Sequence, residues 1–441
     1  MRRLRIWKTA DWLTALIVII LLGVPFQAFI TIWLSSIFGH YTAWRLWDEV
    51  GLVLACLLAA ILLVRNQQLR RQLFRRHLIW LILAYIALLI SCGLAAIIRH
   101  QVDGKALGYG LIVDLRFLVF FIVCLIAAST TTWLKRHWRE LLFGPAIVVI
   151  IFGVLQHFVL SKDFLKHFGY GPNTIQPYQT VNLNNHYIRI SSTLRGPNPL
   201  GAYLLVILTG ITVFIMKLKN NWRRLAWAVF GLGGLICLFY SYSRSAWIGC
   251  VVTIGLVVII GLSLKSRKYA YIMAGLFGLI IVIGAVATIA LRNNSRFEDV
   301  ILHTNRNSTS PTTSDQAHES YLHSGLEEVI HQPLGYGTGT AGPASVYNNH
   351  PARLAENYFL QIGQEAGWLG VVLFLAINWC VGKQLWTKRR DSLALLLLVT
   401  LIGITIVNMF SYAWTDDSLS YIWWGLAGIM LAPKLPAAKK A

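Results

Sequence analysis

The chain has 441 residues, of which 56% are apolar and 13% charged, and its mean hydropathy is +0.60. Soluble domains carry about a quarter charged residues, so this composition excludes a soluble globule and indicates an integral membrane protein with many spans. The formal charge of +21 does not point to nucleic acid, because the basic residues fall in short clusters between apolar runs, as cytoplasmic loops do.

In chain order, the N-terminal MRRLRIWK precedes a long apolar stretch without a small-residue cleavage site, and reads as a retained anchor. Twelve apolar runs follow, near 13–36, 47–64, 79–98, 110–132, 141–160, 198–216, 225–241, 246–264, 270–291, 366–385, 393–411 and 418–432. Each approaches the ~20 residues needed to span a hydrocarbon core. The expected fold is an all-α polytopic membrane protein of about twelve transmembrane helices, forming one integral membrane domain over residues 1–441. The N-terminus, every second loop and the C-terminal tail together hold 26 of the 39 lysines and arginines. Positive-inside bias therefore places both termini in the cytoplasm. It places the two long loops, 161–197 and 292–365, on the extracytoplasmic face. All six cysteines lie inside apolar runs, so neither a disulfide nor a cysteine metal site is expected.

The second of these loops differs from the rest of the chain. Residues 292–365 hold eight carboxylates against four arginines and no lysine, a formal charge of −4 inside a strongly basic protein. The NSTSPTTS stretch (307–314) reads as a linker. Tyr321, Leu322, Leu326, Val329 and Ile330 then recur at helical spacing, predicting an amphipathic helix that ends at Gln332-Pro333. Gly335, Gly337 and Gly339 form a tight turn. With no preceding strand, they are not a dinucleotide fingerprint.

Arginine is informative where positive-inside bias disfavours it. Arg195, in RISSTLRGPNPLGAYL, and Arg244, in YSYSRSAW, stand at the ends of spans. Each is either a guanidinium fork for phosphate or an interfacial arginine reaching headgroups. Asp114 and Arg116 interrupt the fourth span. Ionisable groups there face a cavity or a partner, and pairing with neighbouring helices is the simpler reading. Glu356, in RLAENYFLQ, is either a general base beside aromatic residues or a first-turn carboxylate favouring a helix dipole. His318, His323 and His331 are spaced 5 and 8 apart and do not share one helix face, so no metal site is assigned.

Four blocks, RGPNPLGAYL (195–204), SYSRSAW (241–247), HQPLGYGTGTAG (331–342) and ENYFLQIGQEAGWLG (356–370), resemble those of the O-antigen ligase and Wzy-type polysaccharide polymerase superfamily. The resemblance implies a GT-C-like membrane glycosyltransferase in the cytoplasmic membrane, with its site on the outer face. It would transfer or polymerise a glycan from a polyprenyl-diphosphate donor onto a glycan or lipid-glycan acceptor, by inversion and without cofactor, metal or nucleic acid. Arg195 and Arg244 would bind the diphosphate. Glu356, where ligases carry His, would be the catalytic base, a difference that favours a polymerase or another acceptor. The family often has Arg where His318 stands, so Arg353 is the candidate for the missing charge. Asn357, Tyr358, Gln361, His318 and Arg116 would contact or position substrate. A lipid-linked sugar transporter is the alternative. It would place charge at mid-bilayer, whereas this sequence concentrates it in one loop.

Overall fold

A computed structural model of the chain describes residues 2–291, 294, 297–298 and 314–433. Residues 307–313 of the expected linker lie outside them. Apolar runs in a bilayer must satisfy their backbone hydrogen bonds internally, and every one of the twelve does so as helix. The helices are α1 (Arg2–Gly23), α2 (Gln27–Phe38), α3 (Tyr41–Arg45), α4 (Trp47–Arg65), α5 (Gln67–Phe74), α6 (His77–Ile98), α7 (Gly104–Thr130), α8 (Trp133–Arg136) and α9 (Trp138–Phe158). They continue as α10 (Pro197–Ile215), α11 (Asn221–Tyr240), α12 (Arg244–Ser263), α13 (Arg267–Ala290), α14 (Ser314–His331), α15 (Tyr358–Thr387), α16 (Ser392–Asn408) and α17 (Asp417–Leu431).

The protein is thus an all-α polytopic membrane protein. Among the described residues, ten helical segments are long and apolar enough to cross a membrane, with Thr9–Phe38 counted as one. The other two runs, α16 with 17 residues and α17 with 15, are shorter than the expected spans. One small departure from all-helix lies in the first long loop. There Gln179–Val181 (β1) and Asn184–Arg189 (β2) pair antiparallel, Gln179 opposite Arg189. Asn182 and Leu183, both at positive φ, form the turn that a two-residue hairpin requires.

The centre of the bundle is α17, buried along its whole length and packed chiefly on α7. Trp414, Trp423 and Trp424 fill the space between them with Phe117 and Phe121, ring centroids 5.0–6.2 Å apart. At the opposite extreme α13 buries none of its apolar window and packs chiefly on α12, Phe277 lying against Gly255. Arg116 points from α7 into a buried charge network. It pairs with Glu49 at 3.1 Å and with Asp417, and donates to the Thr415 carbonyl. Arg45 reaches the same Asp417 at 3.0 Å. Asp114, two residues earlier on α7, faces elsewhere and accepts from Gln361 Nε2 at 3.2 Å. Pairing with neighbouring helices, the simpler of the two readings, therefore holds for both residues.

α15 is broken near its start, at Gly367 (φ 63°, ψ −167°). The break frees backbone groups that an unbroken helix would use within itself. The carbonyls of Gln364 and Glu365 instead accept from Tyr336 N at 2.6 Å and Gly337 N at 2.9 Å. In return Trp368 N donates to the Pro333 carbonyl at 3.1 Å. The segment after α14 is thereby sewn into the kink. Gly335 and Gly367 permit the approach, because a Cβ on either would collide with the facing backbone. Gly367→Ala is therefore expected to cost about 1–3 kcal/mol through the left-handed φ alone. Denaturation of purified protein followed by fluorescence should show a lowered midpoint, whereas Gly275→Ala on open α13 should leave it unchanged.

Candidate functional site

The two long loops meet at one end of the bundle. Arg189, the last residue of β2, is half-buried. Its Nε donates to the Ser241 carbonyl at 2.9 Å and its Nη2 to Asn198 Oδ1 at 2.7 Å. Ile190 N bonds the Tyr240 carbonyl at 3.1 Å, which ties the hairpin to the end of α11. Ser192, at φ 51°, is pinned from both sides. Its N–H donates to Gln156 Oε1 at 2.8 Å and its hydroxyl to the Val149 carbonyl at 2.7 Å. The turn between α11 and α12 then passes through Tyr242 at φ 50° and delivers Arg244 as the first residue of α12. Non-glycine residues at positive φ are uncommon, and two of the seven in this structure flank the two arginines.

Arg189 and Arg244 line one cavity of about 650 Å³. Burial, and then the neighbouring Arg244, push the Arg189 guanidinium down to about 10. A base whose folded value lies below its ordinary one destabilises the fold while charged, here at every pH below about 10. An anion held between the two arginines would offset that cost. Asn198, Ser243, Ser245 and Tyr242 complete the polar wall, and α14 covers it with His318, Glu319 and His323. Ile248, Leu322, Leu326 and Phe410 add an apolar part to the wall. The cavity is amphiphilic, with charged and aliphatic side chains sharing its lining.

The predicted amphipathic helix is present as α14, ending at His331. It buries Gly325 and Val329, while Leu326 and Ile330 remain about half exposed. His318 hangs from its first half with Nδ1 2.5 Å from Glu356 Oε2, and it is among the residues that line the cavity. Glu356 is not in the first turn of a helix. It precedes the N-cap of α15, sits at φ 48°, and donates its backbone N–H to Tyr412 Oη at 2.6 Å. The second reading of Glu356, as a first-turn carboxylate, is corrected by this geometry.

Several other expected site residues lie apart from the cavity. Arg195 is exposed and is not among its lining residues; the carboxylates of Asp416 and Asp417 feel its charge. Arg353 lies over the Tyr336 ring at 4.2 Å with Nε 3.6 Å from Glu328, so its charge is already engaged. Arg116 is locked in the buried network described above. Tyr358 is fully buried and packs on Phe374, and Gln361 is buried against Asp114, so neither reaches a ligand at the cavity. Asn357 is the N-cap of α15, accepting from Phe359 N and Leu360 N while Nδ2 donates to the Met409 carbonyl. For Asn357, Tyr358 and Gln361 the reason is shared: the block that carries Glu356 also contains the residues that build α15. Sequence reasoning missed Arg189, Asn198, Tyr412 and the His318–Glu356 contact. Arg189 had a signal, since it stands six residues before Arg195 in the same segment.

Residues 232–375 match the family model described as O-antigen ligase, which supports the resemblance and takes in three of the four blocks, leaving 195–204 outside. The match takes in Arg244, α14, the glycine turn and Glu356, and leaves Arg189 upstream. No curated protein matches the chain.

If the two arginines form an anion site, inorganic pyrophosphate should raise the unfolding temperature of the purified protein. One hundred times its Kd corresponds to about 2.7 kcal/mol. Arg189→Gln and Arg244→Gln should each abolish most of that gain, and an equal response in both variants would place the anion elsewhere.

Proposed function

We propose that this membrane protein, which carries an O-antigen ligase segment in its second half, transfers or polymerises a glycan from a polyprenyl-diphosphate donor on the extracytoplasmic face. The observation that supports this best is the juxtaposition in one cavity of Arg189 and Arg244 with apolar side chains and with His318, whose ring contacts Glu356 outside the lining. The diphosphate would lie between the two guanidiniums, whose planar donor forks suit its oxygens. The polyprenyl chain would leave along Ile248, Leu326 and Phe410.

In the reaction, the acceptor hydroxyl oxygen attacks the anomeric carbon as the bond from that carbon to the diphosphate oxygen breaks. The leaving diphosphate takes the electron pair and its developing charge is stabilised by Arg189 and Arg244, fixed donors that need no reorganisation. The hydroxyl proton passes to His318 Nε2, and Glu356 holds the ring through Nδ1 and stabilises the imidazolium as it forms. His318 is thus the catalytic base and Glu356 its positioning residue, a revision of the sequence reading that gave Glu356 the proton directly. One displacement at one carbon inverts the configuration. A carboxylate in place of the ligase histidine favours polymerisation over transfer to a lipid A core.

Transfer should be measured in proteoliposomes with a short polyprenyl-diphosphate oligosaccharide, following chain length of the product. Arg244→Ala should lower the rate about a hundredfold to a thousandfold. His318→Ala should lower it at least about a hundredfold, and Glu356→Gln should give a smaller loss with a shifted pH–rate profile. Full activity in both His318→Ala and Arg244→Ala would refute this mechanism.

A further inference from the structure

A second cavity, of about 330 Å³, lies on the other side of Arg189 between the hairpin and the ends of α9 and α11. Arg189 and Tyr242 belong to both cavities, so the two adjoin. Its volume falls in the range of small-ligand pockets, ~300–1,000 Å³. The wall is built of rings and nitrogen donors. The His157 ring lies flat on Tyr240, centroids 3.4 Å apart, and Lys162 Nζ stands 5.4 Å from the Tyr178 ring. His186 comes from the hairpin.

No carboxylate lines this cavity. The nearest in sequence, Asp163, is paired with Lys166 at 2.8 Å rather than with Lys162. Two permanent cations, Lys162 and Arg189, therefore face a space with flat aromatic surfaces and no counter-charge of its own. Aromatic faces suit the C–H face of a pyranose, while hydroxyls and nitrogen donors suit its oxygens. The uncompensated charge selects an acidic one. We infer that this cavity is a subsite for a negatively charged sugar residue, of the hexuronate class, in the glycan that the adjoining site handles. The inference rests on the proposed glycan transfer but is tested by binding alone.

Ligand-observed saturation-transfer NMR on the full chain in nanodiscs would use glucuronate, glucose and inorganic phosphate as separate probes. Glucuronate should receive saturation, glucose at least fivefold less. Lys162→Ala and Tyr178→Ala should weaken glucuronate binding about tenfold, as loss of a charge-assisted contact does. Lys162→Arg should retain it, which separates lost charge from lost folding. Arg244→Ala, confined to the first cavity, should leave it intact. Equal saturation of glucose and glucuronate would overturn the charge selection. Phosphate that displaces glucuronate at equal concentration would make the cavity a phosphate site. Loss on Arg244→Ala with indifference to Lys162→Ala would place the acidic sugar in the first cavity. Glucuronate binding without any glycan transfer would keep the subsite and reject the transferase reading.

Discussion

The site depends on an exchange of backbone hydrogen bonds at one helix break. Gly367 interrupts α15, and the carbonyls released on its upstream side are taken by Tyr336 and Gly337. Unpaired backbone groups at membrane depth are expensive, so a break in a spanning helix persists only where another segment satisfies it. Here the satisfying segment is the glycine-rich turn after α14. Further bonds extend the attachment: Gly339 N donates to Glu365 Oε1 at 2.9 Å, and the Thr338 hydroxyl to the Leu89 carbonyl at 2.7 Å. α14 leads into this clamp and Glu356 follows it, so the clamp sets how His318 and Glu356 meet. Two residues separated by 38 positions are brought into register by a joint that contains neither of them.

The acidity of the second loop presented a difficulty for any anionic ligand, and the geometry accounts for three of its eight carboxylates. Glu328 accepts from Gln364 and faces Arg353. Glu365 is buried under the glycine turn, and Glu356 is turned to His318. Among the described residues, Glu319 is the one carboxylate of α14 that lines the first cavity. The positive charge comes instead from the first long loop and the α11–α12 turn. Neither long loop lines the cavity by itself: one brings Arg189 on a hairpin anchored to α11, the other brings His318 with Glu356 beside it.

How much of this was legible in the sequence depended on the length scale of the signal. Spans and the amphipathic helix were readable because hydropathy and periodicity are summed over many residues, and the helices fall on the twelve runs. The end of the bundle where Arg244 lies was readable because an arginine between two spans is rare. What could not be read was contact across the chain. Arg189 and Arg195 are equivalent in composition and context, and the hairpin register alone turns Arg189 toward Arg244 while Arg195 falls beside Asp416 and Asp417. Tyr358 and Gln361 sit in the same block as Glu356, but helix phase sends them inward. His318 lacked the guanidinium expected at its position, and only the fold reveals that its partner is a carboxylate.

The apolar wall of the first cavity carries one more consequence. Ile248, Leu326 and Phe410 are each about half exposed, so the cavity opens to the surface beside apolar side chains. A ligand with a long hydrocarbon tail need not leave the bilayer to enter by that route; it diffuses in two dimensions. For the lipid-linked donor proposed above, occupancy would follow its mole fraction among neighbouring lipids and not its amount per volume of solution. Diluting the membrane with inert lipid would then starve the protein even at constant total donor, while the proposed acceptor, arriving from the aqueous side, would obey ordinary three-dimensional kinetics.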